Sequence, residues 1–179
     1  MINIYTGPMF SGKSNGLLNA YDNIWNKSNV IAFKPKLDDR DYGVIKSRKS
    51  AIVVDAICIN DLSEIKEYIN DDTRTIFIDE AQFLTGDVSH ILELSIDRDI
   101  DFYISGLNMT SEQKPFGIMP YLLSIADSIT ISKAVCFDCN KEAAYSYYKF
   151  NKTDDNLVGS DDYIPLCRKC LVKRRKRGN

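Results

Sequence analysis

The chain contains one histidine, His90, in 179 residues. Imidazole chemistry therefore has a single candidate. His90 stands beside Ile91 in a stretch of helical spacing and reads as structural. No apolar run approaches the roughly 18 residues needed to span a bilayer, which excludes a helical membrane anchor. The charges nearly cancel, with 23 Lys and Arg against 25 Asp and Glu. That removes the electrostatic argument for nucleic acid as the main partner. Internal repeats and low-complexity linkers are absent. The N-terminus runs directly into a strand signal with no leader to remove, so a cytoplasmic chain is expected. Five cysteines, four of them in two pairs, fit an intracellular metal site better than a disulfide framework.

What is present begins at once. Gly7-Pro8-Met9-Phe10-Ser11-Gly12-Lys13-Ser14 fits G-x-x-x-x-G-K-[ST], the phosphate-binding P-loop. It follows the β-prone Ile2 to Tyr5. It precedes apolar residues at helical spacing: Leu17, Leu18, Tyr21, Ile24 and Trp25. Strand, glycine loop and helix N-terminus together make an anion site. Lys13 would reach the β- and γ-phosphates, and the Ser14 hydroxyl would hold Mg²⁺. A second acid site follows. Thr75-Ile76-Phe77-Ile78-Asp79 reads as a buried strand ending in a carboxylate, expected beside the P-loop strand and able to bind Mg²⁺. Glu80 points elsewhere and is the candidate general base. With few rivals, a carboxylate suffices, because phosphoryl transfer depends mainly on positioning and charge.

Strand and helix signals alternate as far as Ser132. Strands are expected over 29–34, 51–54, 75–79, 100–105 and 129–131. Helical stripes start at Asp61 (Leu62, Ile65, Ile69), at Val88 (Ile91, Leu92, Ile96) and near Leu122. The pattern predicts an α/β fold of the P-loop NTPase type, a mostly parallel sheet flanked by helices. After Lys133 cysteines, tyrosines and turn residues take over, so a nucleotide-binding domain over 1–133 and a small lobe over 134–179 are expected. In that lobe Cys136-x-x-Cys139 and Cys167-x-x-Cys170 have the pairing of a closed S₄ structural zinc site. A redox reading needs only one CxxC. Cys58 reads as a core thiol, and the basic run from Lys173 to Arg177 as a solvated end.

Taken together these residues resemble the type II thymidine kinase family. The matching pieces run in order over nearly the whole chain: GPMFSGKS at 7–14, FKPKLDDR at 33–40, FIDEAQF at 77–83, GLNMTSEQKPFG at 106–117, AVCFDCNKEAAYS at 134–146 and VGSDDYIPLCRKC at 158–170. The resemblance implies ATP and thymidine as substrates, feedback inhibition by thymidine triphosphate, and a homotetramer. It implies Glu80 as the base for the 5′-hydroxyl. It implies Asp79 and Gln82 at the phosphate and Mg²⁺ site, and Asp38, Asp39 and Arg40 near the nucleotide phosphates. Met9 and Phe83 would line the thymine pocket, with Ser111 and Phe116 of the 106–117 piece on the substrate side and Ser146 near the base. Asn156, Leu157, Val158 and Gly159 would belong to a loop folding over the nucleoside, anchored by Tyr163. Zn²⁺ at the cysteines would clamp the base of that lid. Several positions depart from the family pattern. Ser111 stands where many members have a phenylalanine, Asn108 where an aspartate is usual, and Val158 where a glycine is common. These departures fall on the nucleoside side and would alter base recognition before phosphate chemistry. A different class, a P-loop protein whose zinc lobe binds nucleic acid, would want a basic, aromatic-studded face, which the near-neutral charge does not favour.

Overall fold

A computed structural model describes residues 1–38, 42–48, 50–150 and 162–176. Its centre is a six-stranded sheet built from β1 (Ile2–Thr6), β2 (Val30–Pro35), β5 (Ile57–Ile59), β6 (Thr75–Ile78), β7 (Asp101–Gly106) and β8 (Ser128–Ile131). The strand order is β5-β2-β6-β7-β1-β8, and every pairing in it is parallel. Alternation along each strand divides the core between two faces. Ile2, Ile4, Ile76, Ile78, Phe102 and Ile104 face one layer. That layer is closed by Leu62 and Ile65, by Ile91 and Leu94 of α2 (Ser89–Asp97), and by Met119 and Leu122 of α3 (Met119–Ser124). Phe77, Tyr5 and Tyr103 face the other, against Leu17 and Leu18 of α1 (Lys13–Asp22). There Phe77 stacks on Tyr103 with ring centroids 4.9 Å apart. Beside α1 lies the antiparallel ribbon of β3 (Val44–Lys46) and β4 (Val53–Asp55). No helix among the described residues is long and apolar enough to cross a membrane.

Two helical stripes end earlier than their spacing predicts. α1 stops at Asp22, so Ile24 and Trp25 lie beyond it, and Trp25 is fully exposed. The cause is Lys27, whose ammonium donates to the carbonyls of Tyr21, Asp22 and Ile24 and closes the helix end. The segment after Asp61 is a 3-10 helix, Leu62–Glu67, with a capping box. The Asp61 side chain accepts from the Ser63 N–H, and Glu64 accepts from the N–H groups of Asn60 and Asp61.

The residues after Lys133 build a small core of their own from Ala134, Cys136, Ala143, Ile164, Leu166, Cys170 and Leu171. Its strands are β9 (Ala134–Val135), β10 (Glu142–Ala143), β11 (Tyr145–Tyr148) and β12 (Tyr163–Leu166), in two antiparallel pairs followed by α4 (Arg168–Arg175). Part of the basic run is therefore helical. Arg174 forms a two-pronged ion pair with Asp138 at 2.6 and 2.9 Å, which ties α4 to the first CxxC turn.

Candidate nucleotide site and metal centre

The loop between β1 and α1 is shaped by its glycines. Gly7 has φ of 140°, and a Cβ there would lie 2.2 Å from the Ser132 carbonyl oxygen. Only glycine lets the loop pass β8 this closely. Gly12 adopts φ 86° at the N-cap of α1 and offers no side-chain cap, so the first N–H groups of the helix face the loop. Lys13 is buried and curls back, its ammonium 3.0 Å from the Pro8 carbonyl. The Ser11 hydroxyl is buried without a hydrogen-bond partner. A buried hydroxyl left without a partner in the loop that leads into α1 fits a site shaped for phosphate oxygens.

Asp79 follows β6. The sheet inserts β7 between β1 and β6, so the acid strand is not beside the P-loop strand as expected. The side chain nevertheless reaches across. Asp79 Oδ1 accepts from Ser14 Oγ at 3.2 Å, from the Glu80 N–H at 3.0 Å, and from the Ser105 hydroxyl. Burial, reinforced by the Glu80 carboxylate, pushes the Asp79 carboxyl up to about 6, against the pull of the Ser105 and Glu80 hydrogen bonds and of Lys13. A buried carboxylate beside a serine hydroxyl is a hard-oxygen pair of the kind Mg²⁺ takes. Glu80 sits in the left-handed region, φ 52° and ψ 38°, an unfavourable conformation for a residue with a Cβ. Its Oε2 accepts from Gln82 Nε2 at 2.6 Å. Gln82 is buried, and its Oε1 accepts from the Leu107 N–H at 2.9 Å.

Phe83 and Phe116 meet edge to face with centroids 5.4 Å apart. The Met9 N–H donates to the Ser146 hydroxyl at 2.9 Å, which joins the P-loop to β11. Ser111 lies in a tight turn where Gln113 takes φ 63° and its side-chain amide donates to the Ser111 carbonyl. Phe10, also at positive φ, is exposed at the loop tip. Asp38 forms a buried ion pair with Lys34 at 3.3 Å. Tyr163 packs on Tyr148 at 5.1 Å. Asp39, Arg40, Asn156, Leu157, Val158 and Gly159 lie outside the described residues. The sequence reading missed Ser105, Lys34 and the Leu107 N–H. No local signal marks Ser105, whose partner Asp79 follows a strand that meets its own only in the sheet. Cys58 is half-buried at the sheet edge rather than a sealed core thiol.

The sulfurs of Cys136, Cys139, Cys167 and Cys170 all lie within 4.8 Å of one another. Cys139 and Cys167 are 3.7 Å apart. A tetrahedron with metal–sulfur bonds of about 2.3 Å has edges of about 3.8 Å, so the spacing fits zinc. The Cys167 N–H donates to the Cys136 sulfur at 3.2 Å, and the Cys170 N–H to the Cys167 sulfur at 3.5 Å. Burial opposes the Cys136 thiolate, but the N–H groups of Cys167, Asp138 and Cys139 and the Cys139 thiol outweigh it and bring the group down to about 6. Cys170, hydrogen-bonded to Cys139 and partly desolvated, is pushed up to about 12. Four thiolates share this space only around a cation.

A family model described as thymidine kinase matches residues 1–171. The chain is 36% identical over 178 residues to the thymidine kinase of Pseudothermotoga lettingae, covering 96% of this chain and 95% of that protein. It is 37% identical over 177 residues to the thymidine kinase of Mycoplasma mobile, covering 97% and 88%. The chain belongs to the thymidine kinase family. A more distant member, from Porphyromonas gingivalis, is 33% identical over 176 residues, covering 96% of this chain and 85% of its own. The thymidine kinase match runs through both the parallel sheet and the four cysteines, up to Leu171.

Proposed function

We propose that this protein transfers the γ-phosphoryl group of ATP to the 5′-hydroxyl of thymidine, with deoxyuridine as a second acceptor. The observation that carries the reading is the hydrogen bond from Ser14, at the start of the P-loop helix, to Asp79, which Glu80 follows directly in the chain. In the transfer the bond between the γ-phosphorus and the β–γ bridging oxygen breaks. A bond from the γ-phosphorus to the nucleoside oxygen forms, and ADP leaves. Glu80 takes the proton from the attacking hydroxyl. Lys13 and the N-terminus of α1 stabilise the phosphate charge. Ser14 and Asp79 would hold Mg²⁺, which supplies charge neutralisation to the phosphates when bound.

Met9, Phe83, Phe116 and Ser146 would surround the base. The segment from Asn156 to Gly159 would cover it, its flanks held by the pairing of β11 with β12. Covering the nucleoside excludes water, which competes as acceptor. Thymidine triphosphate would inhibit by placing its base in the same pocket and its phosphates on the P-loop. A homotetramer is part of the proposal, and the exposed Trp25, Ile129 and Ile131 are apolar surface suited to such contacts.

The test is ADP formation with and without thymidine, in the wild type and in Glu80→Gln. ADP release should require thymidine. The amide variant should bind both substrates yet turn over at least ~10²-fold slower. Near-normal turnover of Glu80→Gln would remove Glu80 from the role of base. ADP formation indifferent to thymidine would turn the reading toward an ATPase.

A further inference from the structure

Glu80 needs something to hold it. Its backbone is in the left-handed region, and its carboxylate projects from the first turn after β6. One group that meets it is Gln82, only 2% exposed. The Gln82 amide is engaged at both ends, 2.6 Å from Glu80 Oε2 and 2.9 Å from the Leu107 nitrogen. The two contacts fix each other. A backbone N–H can only donate, so it selects the amide oxygen. The amide NH₂ is then left to face the carboxylate, which can only accept. Two glycines make room for this arrangement. A Cβ on Gly106 would stand 3.0 Å from Gln82 Oε1, and one on Gly117 would stand 2.2 Å from the Gln82 carbonyl oxygen. These glycines bracket the segment that carries Ser111 and Phe116.

We propose that Gln82 is a positioning residue: it ties the Glu80 carboxylate to the backbone of Leu107, so that the base and the 107–117 segment are set as one unit. This rests on the reading of Glu80 as the base. It gives Gln82 a task other than holding ATP or Mg²⁺.

The experiment is a double-mutant cycle on full-length enzyme with steady-state kinetics for both substrates. Gln82→Leu keeps the bulk and removes both contacts. Its turnover should fall about 10²-fold, as expected for a misplaced base, with the KM for ATP changed by less than about twofold. Its KM for thymidine should rise about fivefold, the loss of one net hydrogen bond on the 107–117 segment. Gln82→Glu keeps an acceptor for the Leu107 N–H but sets a second carboxylate against Glu80. Turnover should stay low while the KM for thymidine returns toward that of the wild type. In the Glu80→Gln background, Gln82→Leu should lower turnover almost no further, because its effect on turnover passes through Glu80. Should Gln82→Leu fail to fold by thermal melting, Gln82→Glu and its cycle with Glu80→Gln carry the same comparison. Full additivity in the cycle, or turnover within threefold of wild type in a folded Gln82 variant, overturns the proposal. So does a rise of tenfold or more in the KM for ATP. If Glu80→Gln itself retains turnover, it is the assignment of the base that falls.

Discussion

Ser111 is the residue at which this chain leaves its family's pattern most visibly, and the geometry narrows what that costs. The turn around it is held by its own backbone: the Thr110 N–H donates to the Lys114 carbonyl at 2.9 Å, and Gln113 closes on the Ser111 carbonyl. Arg175, at the end of α4, reaches the Glu112 carbonyl at 3.3 Å and steadies the same turn. The edge-to-face pair of Phe83 and Phe116 supplies aromatic surface nearby. A further ring stacked on a base contributes roughly 1–3 kcal/mol. With two rings already present, the low end applies, so Ser111→Phe should lower the KM for thymidine about fivefold. The KM for ATP should not change. A variant that excludes thymidine would mean that the pocket is built around the serine and suits a bulkier nucleoside. At this scale the sequence was legible where a motif demands a residue type. Gly7, Gly12, Lys13, Ser14 and Asp79 all stand at the loop and acid that their spacing announced. It was not legible where a role comes from distant neighbours. Nothing local marks Ser105 as an Asp79 partner, because the hydrogen bond spans two strands that meet only in the sheet.

Among the elements, the short 3-10 helix Leu62–Glu67 shows how little length is needed when the caps are good. Asp61 and Glu64 satisfy the N-terminal donors reciprocally, and Thr85 adds its hydroxyl to Asp61. The backbone and side chain of Ser63, then Thr85, hold the Asp61 carboxyl below its ordinary 3.8. The backbone N–H groups of Asn60 and Asp61 hold Glu64 below its ordinary 4.5. Both acids are thus depressed in the fold. Their contribution is complete above those ordinary values and is lost as pH falls through the lowered ones. Removing the cap with Asp61→Ala should cost about 1 kcal/mol at pH 7, a drop of about 2–4 °C in Tm. The gap from wild type should close as the pH is taken below about 4. Melting curves at pH 7 and pH 3 that show the same gap would refute the electrostatic part of the argument. The strands with buried apolar runs were readable from sequence, since Thr75–Ile78 is buried at all four positions. Helix ends were less so. α1 ends through a lysine five residues beyond its last residue, and a periodicity count does not register a side chain folding back. Strand order was not readable at all, because β6 and β7 lie side by side through contacts far apart in the chain.

At the scale of the whole molecule, the cysteine cluster and the P-loop are mechanically connected. Ser146 of β11 accepts the Met9 N–H, and β11 is paired to β12, which leads directly into Cys167. Among the described residues the small core buries seven, too few to hold that region by burial alone. Zinc should therefore supply much of its stability. Protein purified without added zinc should carry about one equivalent by metal analysis, as a four-ligand site implies. Chelation or Cys136→Ser should expose the C-terminal region to protease and weaken nucleoside binding more than ATP binding. A metal-free preparation that is folded and fully active would end the zinc assignment. The position of β1 has a consequence for synthesis. This strand carries the P-loop and pairs on both sides with strands made much later than itself, at 101–106 and 128–131. Gly7 itself rests against Ser132. A nascent chain therefore holds its phosphate loop unfinished until those strands are made, with contacts of long sequence separation still to close. Until Ser132 has cleared the exit tunnel, the loop lacks the neighbouring strands that shape it, so ATP should be a poor folding template for the growing polypeptide.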